Sequence, residues 1–290
     1  MTITFKIPAT SANLGLGFDS MGIAVQKYLT ITAETADDWH VDFLDKELEV
    51  LPTDANNLVF RAAEHVANEY DKVMPKLSIT MASQIPLTHG LGSSSSAIVA
   101  GIELANHFLE LSMSEEDKIF HATALEGHPD NVGPCITGGA FAGYYSIADG
   151  LYYEQFNLDG VGLIVSIPDY EISTEQARLA LPKDYSSHQA IAQNAMNNVM
   201  IMKALKQDYK AMGALMMKDH LHEPYRQSLI KEFDDIKDVT LDQGAYATVI
   251  SGAGPTVLTL APEDKMEKIL EELSIRIPEC VHESIGIHYN

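Results

Sequence analysis

Positive charge is what this chain has least of: 19 Lys and Arg stand against 41 Asp and Glu in 290 residues, a formal net charge of -22. Nucleic acid and anionic membranes are recognised by clustered basic side chains, so both are argued against as partners. An anionic substrate stays admissible if local cations or a metal ion overcome that background, which makes every Lys and Arg informative. Cysteine is nearly absent too. Cys135 and Cys280 have no Cys-x-x-Cys or His-rich company, which argues against a disulfide scaffold or structural zinc and leaves two buried free thiols as the expectation. No apolar run approaches the roughly 18 to 20 residues of a membrane span. The opening "MTITFKIPAT" alternates like a strand and lacks a basic-then-apolar signal, so a cytoplasmic protein is expected. Internal repeats, long low-complexity tracts and Pro/Gly/Ser-rich linkers are missing as well.

What is present is the composition of an ordinary globular protein, 46% hydrophobic and 21% charged. The length is about twice the ~150 residues of a typical domain, so two domains or one large one are expected. "ITFKIPATSAN" reads as an edge-forming strand and "KYLTITAET" as a second. From Asp54, offered as an N-cap, Leu58, Ala62, Val66 and Tyr70 recur every four residues and predict a helix. "KLSITMAS" is a strand, and Ile98, Ile102, Ala105 and Leu109 line one face of the next helix. "SEEDKIFHATALEG" predicts a helix opened by a Ser114–Asp117 capping box and closed near Gly127. "GGAFAGYYS", "LYYEQFN" and "VGLIVSIP" are strands, and residues 174–218 are helical. "ATVISGAGPTVLTLA" is strand, turn, strand; "PEDKMEKILEEL" a helix; "HESIGIHY" a last strand. The mixture lacks the alternation of a doubly wound sheet, which points to α+β.

Three Gly-rich turns carry the chemistry. In "PLTHGLGSSSS", residues 86–96, Gly90 and Gly92 permit positive φ and close backbone approach ahead of a helix. Free N–H groups and the positive helix end then form an anion site, and Ser93 to Ser96 add hydroxyls for a phosphate oxygen or magnesium. Simple capping accounts for the serines equally well. The loop has no Walker lysine and no G-x-G-x-x-G pattern. His89 either supplies the missing cation or faces solvent. "PATSANLGLGFDSMGIA", residues 8–24, holds Asn13 and Asp19 in a turn that backbone bonding alone explains. "VISGAGPTVLTL", residues 249–260, reads as a tight hairpin.

As an ordered set, "PATSANLGLGFDSMG", "PLTHGLGSSSSA" and "SGAGPTV" resemble the three signature motifs of the GHMP small-molecule kinases, across nearly the whole chain. Ser95 and Ser96 stand where alanine is commoner in that family. "EGHPDNVGPCITGG", "STEQARLALP" and "HEPYRQSLI" are most similar to its homoserine-phosphorylating branch. The resemblance implies a two-domain α+β fold. Residues 1–158 would form an ATP-binding domain resembling the second domain of ribosomal protein S5, and residues 159–290 a ferredoxin-like domain. It also implies Mg2+, ATP and L-homoserine as reactants, O-phospho-L-homoserine as product on the way to threonine, and a homodimer. A mevalonate-like or sugar alcohol as acceptor, or a non-catalytic relative, is the alternative.

The site residues follow from the same resemblance. Pro86, Leu87, Thr88, His89, Gly90, Leu91, Gly92 and Ser93 to Ser96 would wrap the ATP phosphates, with Asn57 near the adenine. Ser94 and Glu126 would hold magnesium. Asp19 would take the substrate ammonium, and Arg178 and Arg226 its carboxylate, in the two-pronged geometry arginine offers. Asn13, His128, Thr174 and Gly254 complete the substrate contacts. Asn131 would orient the attacking hydroxyl, with Asp130 either supporting or acting as general base.

Overall fold

A computed structural model of the protein describes residues 2–290. Its strands form two sheets, with β1 (Ile3–Ala12), β2 (Met21–Thr35), β3 (His40–Phe43), β4 (Leu77–Ser83), β5 (Ala140–Ser146) and β6 (Gly150–Phe156) in the larger one. The order β3-β4-β2-β5-β6 has β1 laid along β2, and all pairings are antiparallel except β3 with β4. β1 pairs only with β2, as an edge strand does, and its register shifts between Pro8 and Ala9. Proline has no N–H for the ladder, so a bulge there is the natural accommodation. β7 (Val161–Pro168), β8 (Ala247–Ile250), β9 (Val257–Pro262) and β10 (Cys280–Ile285) form the second sheet, ordered β10-β7-β9-β8 and wholly antiparallel.

The helices are α1 (Leu58–Glu69), α2 (Ser93–Phe108), α3 (Glu115–Glu126), α4 (Pro129–Thr137), α5 (Thr174–Leu179), α6 (Ser187–Leu205), α7 (Tyr209–Met216), α8 (Glu223–Arg226), α9 (Phe233–Asp242) and α10 (Met266–Arg276). α2 buries Ile98, Ile102 and Ala105, the apolar spacing that predicted it. α3 carries the expected capping box between Ser114 and Asp117 and ends at Gly127, whose φ is 97°. α9 buries Phe233, Ile236 and Val239, each contributing about 1.5–3 kcal/mol of hydrophobic stabilisation. The larger apolar core runs from α1, α2 and the first sheet through to Leu163, Val249, Leu258 and Leu260 of the second, so the halves share packing. Cys135 and Cys280 are free and buried, and burial pushes the Cys280 thiol up to about 12.

Two readings change, and two elements went unread. The N-cap of α1 is Asn57, whose Oδ1 accepts from Val59 N at 3.0 Å, while Asp54 shapes the preceding turn by accepting from Asn56 N. The stretch 174–218 is three helices, because Pro182 and two further side-chain caps, Ser186 and Asp208, restart the chain. β3 is too short to show a period. α4, in "EGHPDNVGPCITGG", carries an internal Pro134 that disguises it as a loop. Among the described residues, no helix is long and apolar enough to cross a membrane.

Candidate active site

The loop between β4 and α2 is built by local sequence. Gly90 and Gly92 adopt φ of 73° and 71°, and Gly92 is the left-handed N-cap of α2. Side chains are excluded at Gly90 because a Cβ there would overlap the Ser251 carbonyl and lie 2.9 Å from Gly254 O. Ser251 Oγ donates to Gly90 O at 2.6 Å, tying the loop to the turn between β8 and β9. Ser96 N is the first amide of α2 to find an acceptor, Gly92 O, so the N–H groups of the first turn remain available to an anion.

This turn lines a cavity of about 530 Å³ between the two halves. Pro86 to Gly90, Gly92 and Ser93 to Ser95 contribute to its wall, as do Asn57, Leu58, Met81 and the Val50–Pro52 segment at an apolar end. Asn57 is committed to structure on both sides of its amide, since Nδ2 donates to Pro52 O at 2.8 Å. His89 Nδ1 bonds Leu87 O, within its own loop. Three predicted residues lie off the cavity wall. Leu91 is fully buried in the core, Ser96 Oγ donates to Pro8 O and Gly92 O, and Gly254 packs against Ile230.

Glu126, at the end of α3, faces the serines; Ser95 Oγ donates to its Oε1 at 3.1 Å, and Ser94, expected to share magnesium with Glu126, lines the same cavity. Burial is the main reason its carboxyl pKa is raised, with Asp130 adding repulsion and His128 opposing. His128 precedes α4 and bridges carboxylates: Nδ1 bonds Asp130 Oδ1, and Nε2 lies 3.9 Å from Asp19. Burial disfavours its charged form, but the bond to Asp130 and the surrounding carboxylates outweigh that, so its pKa is raised. Asp19, His128 and Asp130 each bring one polar atom within 4.8 Å of the others.

Asp19 sits at φ 55° with its N–H donating to Asn13 Oδ1, and Asn13 Nδ2 donates to Gly252 O at 2.9 Å. Arg178, on α5, grips Asp19 with both prongs at 2.7 and 2.8 Å. That bond is the leading cause of its raised pKa. Arg226, from α8, is only 3% exposed and has no carboxylate partner among the described residues. Its Nη1 donates to Gly252 O at 3.0 Å and Nε to Ala177 O at 3.3 Å. Burial first, then Arg178, lowers its pKa. Thr174 lines the cavity nearby, and Thr10 Oγ1 donates to Asn131 Oδ1 at 2.8 Å. Thr10 and Gly252 were missed: both are unremarkable strand or turn residues whose partners are remote in sequence, Asn131 121 positions from Thr10 and Asn13 and Arg226 239 and 26 from Gly252.

An anion-binding helix turn, a buried acid beside it and paired arginines across a shared cleft define a phosphotransferase site. The chain belongs to the GHMP kinase family, enzymes that pass the terminal phosphoryl group of ATP to an alcohol. Residues 57–139 match the GHMP kinases N terminal domain and residues 201–279 the GHMP kinases C terminal domain. Among named relatives, the homoserine kinases of Staphylococcus epidermidis and Staphylococcus aureus are 42% and 41% identical over 99% of this chain, covering 94% and 95% of theirs. The crystal structure of homoserine kinase from Cytophaga hutchinsonii superposes with a TM-score of 0.86 at 29% identity, covering 98% of this chain and 94% of that one.

Proposed function

We propose that this kinase phosphorylates the side-chain hydroxyl of L-homoserine, giving O-phospho-L-homoserine. The observation that carries the reading is Arg226, a buried guanidinium without a carboxylate partner in a strongly acidic chain. An unpaired buried cation is costly, so it marks a place where a ligand anion completes the pair. Beside it, Asp19 and Arg178 neutralise each other. A zwitterionic amino acid satisfies all three: its ammonium meets Asp19 and its carboxylate meets Arg178 and Arg226. Mevalonate and sugars carry no ammonium for Asp19.

In this reading the first turn of α2 and the 86–92 loop hold the ATP phosphates, and the apolar end beside Leu58 and Met81 takes the base. Glu126 and the Ser94 and Ser95 hydroxyls suit Mg2+: all are hard oxygen donors, and a buried carboxylate with a raised pKa is relieved by a cation. Mg2+ supplies neutralisation of phosphate charge. Asn131 offers Nδ2 to the substrate hydroxyl, because Oδ1 is taken by Thr10. Asp130 is committed to His128, which supports a transfer driven by alignment and charge neutralisation rather than by a dedicated base. Asp130→Asn is expected to retain most of kcat.

Residues 1–158 and 159–290 are proposed as the two domains; in support, strands up to Phe156 build one sheet and strands from Val161 the other. A homodimer is part of the same family-based reading, tested by light scattering of the purified chain. The activity itself is tested by ADP release with homoserine, threonine, mevalonate, shikimate and galactose. Selective turnover of homoserine is expected, and no turnover of homoserine would sink the proposal.

A further inference from the structure

We propose that Phe18 is a positioning residue for the substrate carboxylate, setting the two arginines through its ring. The guanidinium carbons of Arg178 and Arg226 each lie 5.3 Å from the centroid of the Phe18 ring, although Phe18 itself is not part of the cavity wall. An aromatic ring attracts a guanidinium placed over its face, and the attraction grows as water is excluded. Arg226 is 3% exposed, so its environment is the desolvated case. Two like charges drawn to one ring are held close together despite their repulsion, which is the arrangement a single carboxylate needs.

Phe18 is itself held by a second ring. Its ring stacks on His222, with centroids 5.1 Å apart and planes 21° from parallel. His222 is fully buried and bonds Gly15 O through Nε2 at 2.8 Å, fixing the imidazole against the turn that carries Phe18. Burial lowers the His222 pKa, which disfavours a third cation beside the pair. The backbone of His222 is fixed by Asp219, whose Oδ2 accepts from His222 N and Glu223 N, each at 2.7 Å. Asp219 Oδ1 accepts from Gln193 Nε2, which also donates to Leu16 O at 2.8 Å. The turn Gly15–Asp19 is thus pinned at Gly15 by His222, from the segment that supplies Arg226, and at Leu16 by Gln193 of α6, which Asp219 links to that segment. His222 and Arg226 are one helical turn apart, so the support and the arginine move as one unit.

The inference rests on the reading of Arg178 and Arg226 as the carboxylate contacts, and the test separates the two. Phe18→Leu keeps apolar bulk and removes the aromatic face. Its homoserine KM is expected to rise about ten-fold or more, with kcat, the ATP KM and the melting temperature close to those of the native enzyme. Phe18→Tyr, which restores a ring, is expected to recover homoserine KM. Phe18→Met makes the same comparison should the leucine variant fail to fold. Arg226→Met, measured alongside, reports on the carboxylate reading. If Arg226→Met raises homoserine KM while the Leu and Met variants at Phe18 leave it unchanged, the positioning role is overturned and the reading stands. If Arg226→Met has no effect, the reading fails and takes the inference with it. Equal losses for both substrates with a lowered melting temperature, unrescued by tyrosine, would reduce Phe18 to a packing residue and overturn the inference.

Discussion

Thr10 donates to Oδ1 of Asn131 at 2.8 Å, and in the proposed reading that bond decides which end of the amide meets the substrate hydroxyl. With the oxygen occupied, Nδ2 is the end left for a ligand, since its long 3.5 Å bond to Asp130 Oδ1 uses one of its two N–H groups, and an N–H donor can orient a hydroxyl oxygen but cannot take its proton. Thr10→Val removes the donor and lets the amide rotate. We expect kcat to fall about ten-fold, roughly 1.4 kcal/mol of transition-state stabilisation, with the ATP KM unchanged in steady-state assays. An unchanged kcat would show that Asn131 needs no anchor. A second residue-scale outcome concerns Glu126, whose raised pKa means that a proton persists on the carboxylate above the ordinary glutamate range. If Glu126 holds Mg2+ as proposed, the proton and the metal compete for one carboxylate, and the acidic limb of kcat/KM for ATP is expected to move to lower pH as Mg2+ is raised. In Glu126→Gln the limb should lose this dependence; a metal-insensitive limb in the native enzyme would remove Glu126 from the metal site.

The loop-helix element from Pro86 to Phe108 was legible because its chemistry is local. Glycine permits positive φ, serine caps, and the apolar spacing of Ile98, Ile102 and Ala105 sets the buried face, all within one stretch of chain. What holds the loop in place was not legible, since its partner Ser251 lies 161 residues away. The same reason hid the division of labour among the serines: Ser95 reaches Glu126 and Ser96 turns inward to Pro8, a matter of helical phase against β1. Pro134 inside α4 likewise concealed a helix that only tertiary packing stabilises. Gly90 tests the element as a unit. Gly90→Ala meets both a left-handed φ and the backbone of the turn at Ser251 and Gly254, so the loop must leave the second half of the protein. An ATP KM raised by about ten-fold or more with a small change in homoserine KM is expected, measured by varying each substrate at saturation of the other. Equal loss for both would mean that the loop and the amino-acid site are not separable.

At the scale of the whole molecule, the halves are joined by buried polar contacts such as Gln193 Nε2 to Leu16 O as well as by apolar packing, and a buried acid of the second half, Glu223, ties stability to pH. It stands at the start of α8, 4% exposed, and its Oε1 accepts from Ile250 N of β8 at 2.6 Å. Burial, with Asp219 adding repulsion, raises its pKa to about 8 from 4.5. The folded protein therefore keeps this proton at neutral pH. Below pH 4.5 both folded and unfolded chains are protonated there, and the group contributes nothing to a pH slope. As pH rises from 4.5 towards about 8, the unfolded chain releases a proton that the folded chain retains. Stability then declines by at most about 1.4 kcal/mol per pH unit from this residue, and levels off once the folded carboxyl also ionises. Glu223→Gln keeps an oxygen for Ile250 N and cannot ionise. Urea unfolding of the two proteins at pH 5, 6.5 and 8 isolates the residue, because the other 40 acidic groups are common to both. The variant's stability advantage should widen steadily with pH across this range. A constant difference would mean that Glu223 is ionised in the folded protein and that a cation, rather than a retained proton, balances it where α8 meets β8.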